Sequence, residues 1–296
     1  SLTLAVTMGN FDGLHQGHKK FISEFVKEAK LRQAQTLVVT FVPHPLTILK
    51  NKLNFLINTY EQRRSFMQEE GVDFLLELDF SRDFSTQSPK VFLENFIFSH
   101  SKIKFFYLGY DFSFGANKQG DHEFMRAYCT DKKIDFKIQE EFKAEGKSLS
   151  SSLVRELLTL GDVERANKYL GREYFLEGYV VKGEGRGKKI GFPTANIEFD
   201  HALLTPSKGV YVTNAITNGE KYISVTNIGV NPTFVSKEKI TVETHLLDFS
   251  RDLYGEKLKI VFLQKIRNEI KFPNVNELIA QIKKDVEFCR TVHSKK

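Results

Sequence analysis

Near residue 171 the periodicity of the chain changes, and this change narrows the folds open to it more than any other feature. Up to about residue 140, short apolar runs alternate with stretches that repeat apolar residues at helical spacing. Residues 2–8, 36–41, 74–78, 104–108 and 136–139 read as strands, and helices are expected near 60–70, 89–98 and 121–130. Such alternation predicts a parallel sheet covered by helices, with ligands at the carboxyl ends of the strands. A helix after Ser150, Ser151 and Ser152, and a short one from Gly161-Asp162 to Leu170-Gly171, complete this part. Beyond it, residues 174–181, 209–215, 221–227, 240–247 and 257–263 are β-rich and separated by Gly, Asn and Pro turns. They predict a closed antiparallel barrel. Val275, Leu278, Ile279, Ile282 and Val286 predict a helix over 274–290 that packs on it. Two domains are therefore expected: an α/β domain over 1–168, and over 171–296 a mainly antiparallel β-barrel with a C-terminal helix.

The turn after the first strand carries Gly9-Asn10-Phe11-Asp12-Gly13-Leu14-His15-Gln16-Gly17-His18 and opens a helix with Phe21, Ile22, Phe25, Val26 and Ala29 on one face. Free backbone N–H groups and the positive end of the helix dipole favour phosphate at such a place. Glycine lets the backbone approach the ligand, and His15 and His18 can donate hydrogen bonds to phosphoryl oxygens as charge develops. Gly9, Asn10, Phe11 and Gly17 are the candidate phosphate-binding backbone. This His-x-Gly-His turn is similar to the signature of the nucleotidyltransferase superfamily, whose members attack the α-phosphate of a nucleoside triphosphate. Two further loops follow strands, Pro43-His44-Pro45 and Gly109-Tyr110-Asp111-Phe112-Ser113-Phe114-Gly115, and are expected on the same sheet edge. Ser151 and Ser152 can cap the helix that follows and offer hydroxyls to phosphate, with Arg155 in its first turn.

In the β-rich half, the segment from Gly183 to Asn196 holds four glycines and three basic residues, among them Gly187 and Lys188. Its N–H donors and positive charge suit the phosphates of ATP. It is not a Walker A loop, because Lys188 is followed by Lys189 and not by Ser or Thr. Thr194 and Asn196 are two apart, so on a strand they leave one face, and both carry oxygen ligands that Mg²⁺ accepts. Glu243, on a strand, reads by itself as a solvated strand residue, and only a resemblance singles it out.

Composition adds limits. A hydrophobic fraction of 41% with 27% charged residues belongs to an ordinary water-soluble chain, and no apolar run approaches the length of a bilayer span. The first residues read as a core strand and not as a basic leader, so a cytoplasmic location is the default expectation. Cys129 and Cys289 fit no metal-ligand spacing. The net charge of +6 is spread along the chain, which suits a polyanionic small substrate and does not favour nucleic acid. Most of the 27 phenylalanines are expected in the core.

Taken together, the motifs resemble bacterial bifunctional riboflavin kinase/FAD synthetases over essentially the whole chain. The resemblance rests on residues 9–18, Thr-Phe-x-Pro-His-Pro at 40–45, Gly-x-Asp-Phe-x-Phe-Gly at 109–115, and the serine segment at 150–155. It continues through the Gly-rich loop to Asn196, residues 227–234, Glu243, and Asp-Leu-Tyr-Gly-Glu at 252–256. It implies a Rossmann-like FMN adenylyltransferase domain followed by a riboflavin kinase domain, with riboflavin, FMN and ATP as small-molecule substrates and Mg²⁺ as cofactor. Neither nucleic acid nor membrane is implied as a partner, and self-association stays open. Glu243 would be the base on the riboflavin 5′-hydroxyl, with Thr194 and Asn196 holding Mg²⁺. His15 and His18 would stabilise the phosphates in adenylyl transfer, Ser151, Ser152 and Arg155 would bind triphosphate, and Asp111, Phe112 and Phe114 would lie near the flavin. One departure stands out: Leu153 occupies a place where the family often carries a basic residue. The rival expectation is a chain that keeps one activity and uses the other domain for binding or regulation.

Overall fold

The structure, a computed structural model, describes residues 2–99, 102–144, 146–183, 185–231 and 239–294. Glu184 of the Gly-rich loop and residues 232–234 of the Asn227 motif lie outside the described residues. The chain divides into two compact units, Ser1–Ser151 and Ser152–Lys296.

The first unit runs β1 (Thr3–Met8), α1 (Gln16–Leu31), β2 (Gln35–Val42), α2 (Pro45–Lys50), α3 (Tyr60–Glu69) and β3 (Phe74–Asp79). It continues with α4 (Arg82–Ser85), α5 (Pro89–Phe92), β4 (Lys102–Gly109), α6 (His122–Lys132), β5 (Asp135–Gln139) and a small hairpin, β6 (Lys143–Ala144) and β7 (Lys147–Ser148). The five-stranded sheet has the order β3-β2-β1-β4-β5, and all its ladders are parallel. Strand side chains alternate between faces, so each central strand feeds two cores. Leu4, Val6 and Met8 of β1 join Phe106 and Leu108 of β4 under Phe92 and Met125. Ala5 joins Phe105 and Tyr107 under the α1 face of Phe21, Ile22, Phe25, Val26 and Ala29. The helix expected over 89–98 is α5 continued by a π-helical turn over Leu93–Ile97.

The second unit begins with α7 (Ser151–Leu160), whose first residue closes the first unit, and α8 (Val163–Leu170). It continues with β8 (Tyr174–Val181), α9 (Arg186–Lys189), β9 (Ala195–Phe199), β10 (Gly209–Thr217), β11 (Glu220–Asn231), β12 (Lys239–Leu246), β13 (Lys257–Arg267) and α10 (Val275–Ser294). A closed barrel forms in the order β10-β11-β12-β9-β8-β13, every ladder antiparallel. Five strands were legible in the periodicity. The sixth, β9, is the end of the Gly-rich segment, where Ile197 and Phe199 turn inward. Part of the interior is polar: the Thr213 hydroxyl lies 2.7 Å from that of Thr226, which donates to Thr244 at 2.8 Å, all three fully buried. Hydroxyls satisfy one another there, which removes the cost of burying each alone.

The C-terminal helix turns the expected stripe inward except at its first residue: Leu278, Ile279, Ile282 and Val286 are half-buried, Val286 against the barrel core. Val275 is 55% exposed, and the buried residues are Asp285 and Cys289. Asp285 takes a forked hydrogen bond from Arg267 (Nη2 at 2.7 Å, Nε at 3.1 Å), while His293 Nε2 meets Asn214 Oδ1 at 2.8 Å. Polar partners on the barrel wall thus add to the apolar stripe on the same face of the helix. Both cysteines are unpaired and buried, and burial pushes Cys129 up to about 12 and Cys289 up to about 11. No helix among the described residues is long and apolar enough to cross a membrane.

Candidate active sites

In the first unit the strand order reverses between β1 and β4, the position where open parallel sheets hold ligands beyond the strand ends. The turn after β1 sits there and its backbone is strained: Phe11, Gly13 and Leu14 have φ of 49°, 84° and 35°. For Phe11 and Leu14 this costs on the order of 1 kcal/mol each, so surrounding contacts must hold it. The Asp12 carboxylate accepts from Ile57 N at 3.0 Å, and Gly13 N donates to Asn58 Oδ1 at 2.5 Å. The Ser151 hydroxyl donates to the Asp12 carbonyl at 2.8 Å. Arg63 Nη1 and the Thr40 hydroxyl reach the Asn10 carbonyl at 3.2 and 3.5 Å. A Cβ on Gly13 would lie 2.9 Å from Ile57, so glycine is required by both space and φ.

His15 caps α1, its Nδ1 accepting the His18 N–H at 3.3 Å. A neutral His15 therefore carries its proton on Nε2. The two imidazoles stack with centroids 3.7 Å apart and planes 15° from parallel. A Cβ on Gly17 would lie 3.2 Å from the His15 ring. The structure thus joins His15, His18, Gly9, Asn10, Phe11 and Gly17 in one turn and ties Ser151 to it.

The loops after β2 and β4 leave the same sheet edge as this turn, because the three strands run parallel, and their residues differ in burial. Asp111, after β4, is exposed, Phe112 is half-buried, and Phe114 is a core residue stacked on Phe112 at 5.3 Å and packed on Phe92. His122 Nε2 holds the Gly109 carbonyl at 2.8 Å. Pro45 does not lie in a loop but opens α2, which His44 caps by accepting from Leu46 N. Ser151 and Ser152 are the first residues of α7 and do not precede it, and Ser152 and Arg155 fall in the second unit.

On the barrel, Asn227, Glu243 and Asn196 are direct partners across β11, β12 and β9, and Val181 of β8 continues the row. Residues so paired share a face. Val242 and Thr244 are buried, so Glu243 faces out of the barrel. The Thr194 hydroxyl lies 3.4 Å from Glu243 Oε2. Gly183 approaches so closely that a Cβ there would lie 2.2 Å from Asn196 Nδ2, and one on Gly187 would lie 2.3 Å from the Phe192 carbonyl. Lys188 is exposed on the single turn α9. His245 Nδ1 donates to the Pro193 carbonyl at 2.8 Å with its ring edge-on to Phe192, pinning the end of the loop next to Thr194. The Thr194 hydroxyl and the Asn196 amide oxygen are hard-oxygen donors of the kind that fit Mg²⁺, with the Glu243 carboxylate beside them. Among the described residues no group of three or more His, Cys, Asp or Glu could hold a metal.

Comparison with known proteins decides the family. The FAD synthetase family model matches residues 2–153 and the riboflavin kinase model residues 170–293. A Listeria monocytogenes bifunctional riboflavin kinase/FMN adenylyltransferase is 35% identical, covering 98% of this chain and 92% of its own. One from Bacillus subtilis is 36% identical over 95% and 89%. The chain belongs to the bifunctional riboflavin kinase/FMN adenylyltransferase family. A solved Streptococcus pneumoniae structure named a macrolide-efflux protein superposes with a TM-score of 0.89 at 31% identity, covering 98% of this chain and 94% of that one.

For a member of this family, three structural participants escaped the sequence reading. Arg63, Asn58 and His245 hold the two glycine-containing turns, each from a distant part of its unit. Asn58 and Arg63 flank the Thr59 capping box of α3, which reads locally as an ordinary helix start. His245 stands two residues from Glu243, and that spacing on a strand was the one signal available.

Proposed function

We propose that the chain performs two successive ATP-dependent transfers, phosphorylation of riboflavin to FMN and adenylylation of FMN to FAD with release of pyrophosphate. The kinase is assigned to residues 171–296 and the adenylyltransferase to residues 1–168. Membership of the family supports both activities. The observation that carries the residue assignment is the row that sets Asn196 directly across from Glu243, with Thr194 3.4 Å from its carboxylate.

In the kinase, Glu243 takes the proton of the riboflavin 5′-hydroxyl as it attacks the γ-phosphate of ATP, giving FMN and ADP. Thr194 and Asn196 would hold Mg²⁺, which would neutralise phosphate charge there. Gly183, Gly187 and Lys188 receive the ATP phosphates. In the adenylyltransferase, the FMN phosphate attacks the α-phosphate of a second ATP. Protons on His15 and His18 stabilise the charge that develops, and the backbone of Gly9, Asn10, Phe11 and Gly17 cradles the phosphates. Ser151, Ser152 and Arg155 are assigned to the triphosphate. Asp111 and Phe112 are assigned to the flavin, with Phe114 supporting Phe112 from the core.

The test is chromatography of reactions started from riboflavin or from FMN with ATP and Mg²⁺. The unmodified chain is expected to yield FMN and FAD. His18→Ala should stop at FMN, and Glu243→Gln should make FAD only when FMN is supplied. Loss of both activities in either variant would refute separate sites, and FMN without FAD from the unmodified chain would favour the single-activity reading that Leu153 raises.

A further inference from the structure

Arg63 is among the largest fully buried side chains in the molecule, at 2% exposure, and none of the motifs includes it. A buried guanidinium is costly, and an apolar side chain of the same size would fill the space at less cost. Its contacts account for the charge. Nη1 donates to the Asn10 carbonyl at 3.2 Å, both terminal nitrogens reach the Phe41 carbonyl at 3.4–3.5 Å, and Nη2 donates to Glu77 Oε1 at 2.8 Å. Arg63 therefore joins the turn after β1, the end of β2 and strand β3. Glu77 also binds Arg64, whose Nε donates to Oε2 at 2.8 Å, so one carboxylate serves two cations.

In a trans peptide the carbonyl of one residue and the N–H of the next point in opposite directions. Holding the Asn10 carbonyl against Arg63 therefore turns the Phe11 N–H the other way. Phe11 itself stands at φ 49°, a conformation phenylalanine does not keep without outside support. The Thr40 hydroxyl, 3.5 Å from the same carbonyl, gives a weaker second hold.

We propose that Arg63 is a positioning residue for adenylyl transfer: by fixing the Asn10–Phe11 peptide, it orients a backbone donor toward the phosphate that the turn receives. The proposal rests on assigning the adenylyl step to this turn. It places the catalytic effect of Arg63 entirely in the backbone, since the side chain itself is sealed from ligand.

The test compares Arg63→Met and Arg63→Lys in the full chain, measuring FMN-to-FAD and riboflavin-to-FMN conversion on the same preparation. Methionine fills the volume and leaves Glu77 paired with Arg64. Near-UV circular dichroism of the buried tyrosines reports folding. Removing one preorganised donor lowers turnover by about 10²–10³-fold, and a donor displaced but still present should cost less, about 10–100-fold. Arg63→Met is expected to lower kcat for FAD formation by that factor, with the KM for FMN and the kinase within about twofold. Lysine, which keeps a cationic donor, should recover most of the loss. An unchanged kcat in folded Arg63→Met overturns the proposal. So does a lysine variant that loses both activities and the dichroism signal, which would make Arg63 a folding residue only. No FAD from the unmodified chain would instead remove the assignment on which the proposal rests.

Discussion

Gly183→Ala tests the kinase geometry with the smallest perturbation available. The new methyl carbon would be built 2.2 Å from Asn196 Nδ2 and 2.9 Å from its Cγ, while ordinary van der Waals contact begins near 3.4 Å. The amide must therefore retreat by roughly 1.2 Å, the difference between 3.4 and 2.2. Gly183 is exposed and its φ lies outside the left-handed region, so alanine adds no backbone strain and global stability should hold. A misplacement of about 1 Å in a positioned group costs on the order of 10²-fold in rate, or about 2.7 kcal/mol of barrier. The expected result is a riboflavin-to-FMN rate about 10²-fold lower at saturating ATP, partly restored by raising Mg²⁺, with FMN-to-FAD conversion unchanged. Chromatographic initial rates from both starting flavins measure it. A kinase within threefold of the unmodified chain would refute the reasoning, because Asn196 could then move freely without consequence.

Two predictions concern stability. Burial pushes the Glu77 carboxyl up, but hydrogen bonds from Arg63 and Arg64 more than offset this and hold it below its ordinary 4.5. The unfolded chain therefore binds the proton more readily, so the stabilisation is fully present above about pH 4.5 and fades as pH falls through the lower folded value. Urea midpoints of the first unit should stay level from pH 8 to 5.5 and fall below pH 4.5, and a Glu77→Gln variant that shows the same acid slope would count against this source. Asp285→Asn leaves the half-buried Arg267 without its carboxylate and should cost about 3–5 kcal/mol. That appears as a drop of more than about 1 M in the urea midpoint of the barrel unit, followed by tyrosine fluorescence since the chain has no Trp; a shift below about 0.3 M would show that the pair contributes little.

Local periodicity determined the class of both halves. The opening strand and α1 were legible because their apolar residues repeat at one period over many positions, and the His-x-Gly-His turn was legible because its residues are contiguous. Strand β9 was hidden, since it is only five residues long, with the inward pair Ile197 and Phe199, at the end of a Gly- and Pro-containing segment that reads as loop. The packing face of α10 was legible in Leu278, Ile282 and Val286, but its polar anchors were not: Arg267 holds Asp285 and Asn214 holds His293 from across the chain. Tertiary structure alone decided that Asn227, Glu243 and Asn196 share one row, that Phe114 belongs to the core, and that Arg63, 53 residues along the chain, holds the Asn10 carbonyl. A repeating pattern records which side of an element faces inward, because hydrophobic burial is summed over the whole element. A single hydrogen bond between distant residues leaves no period to read, and strand register and the close approach of backbones are settled only when the elements pack.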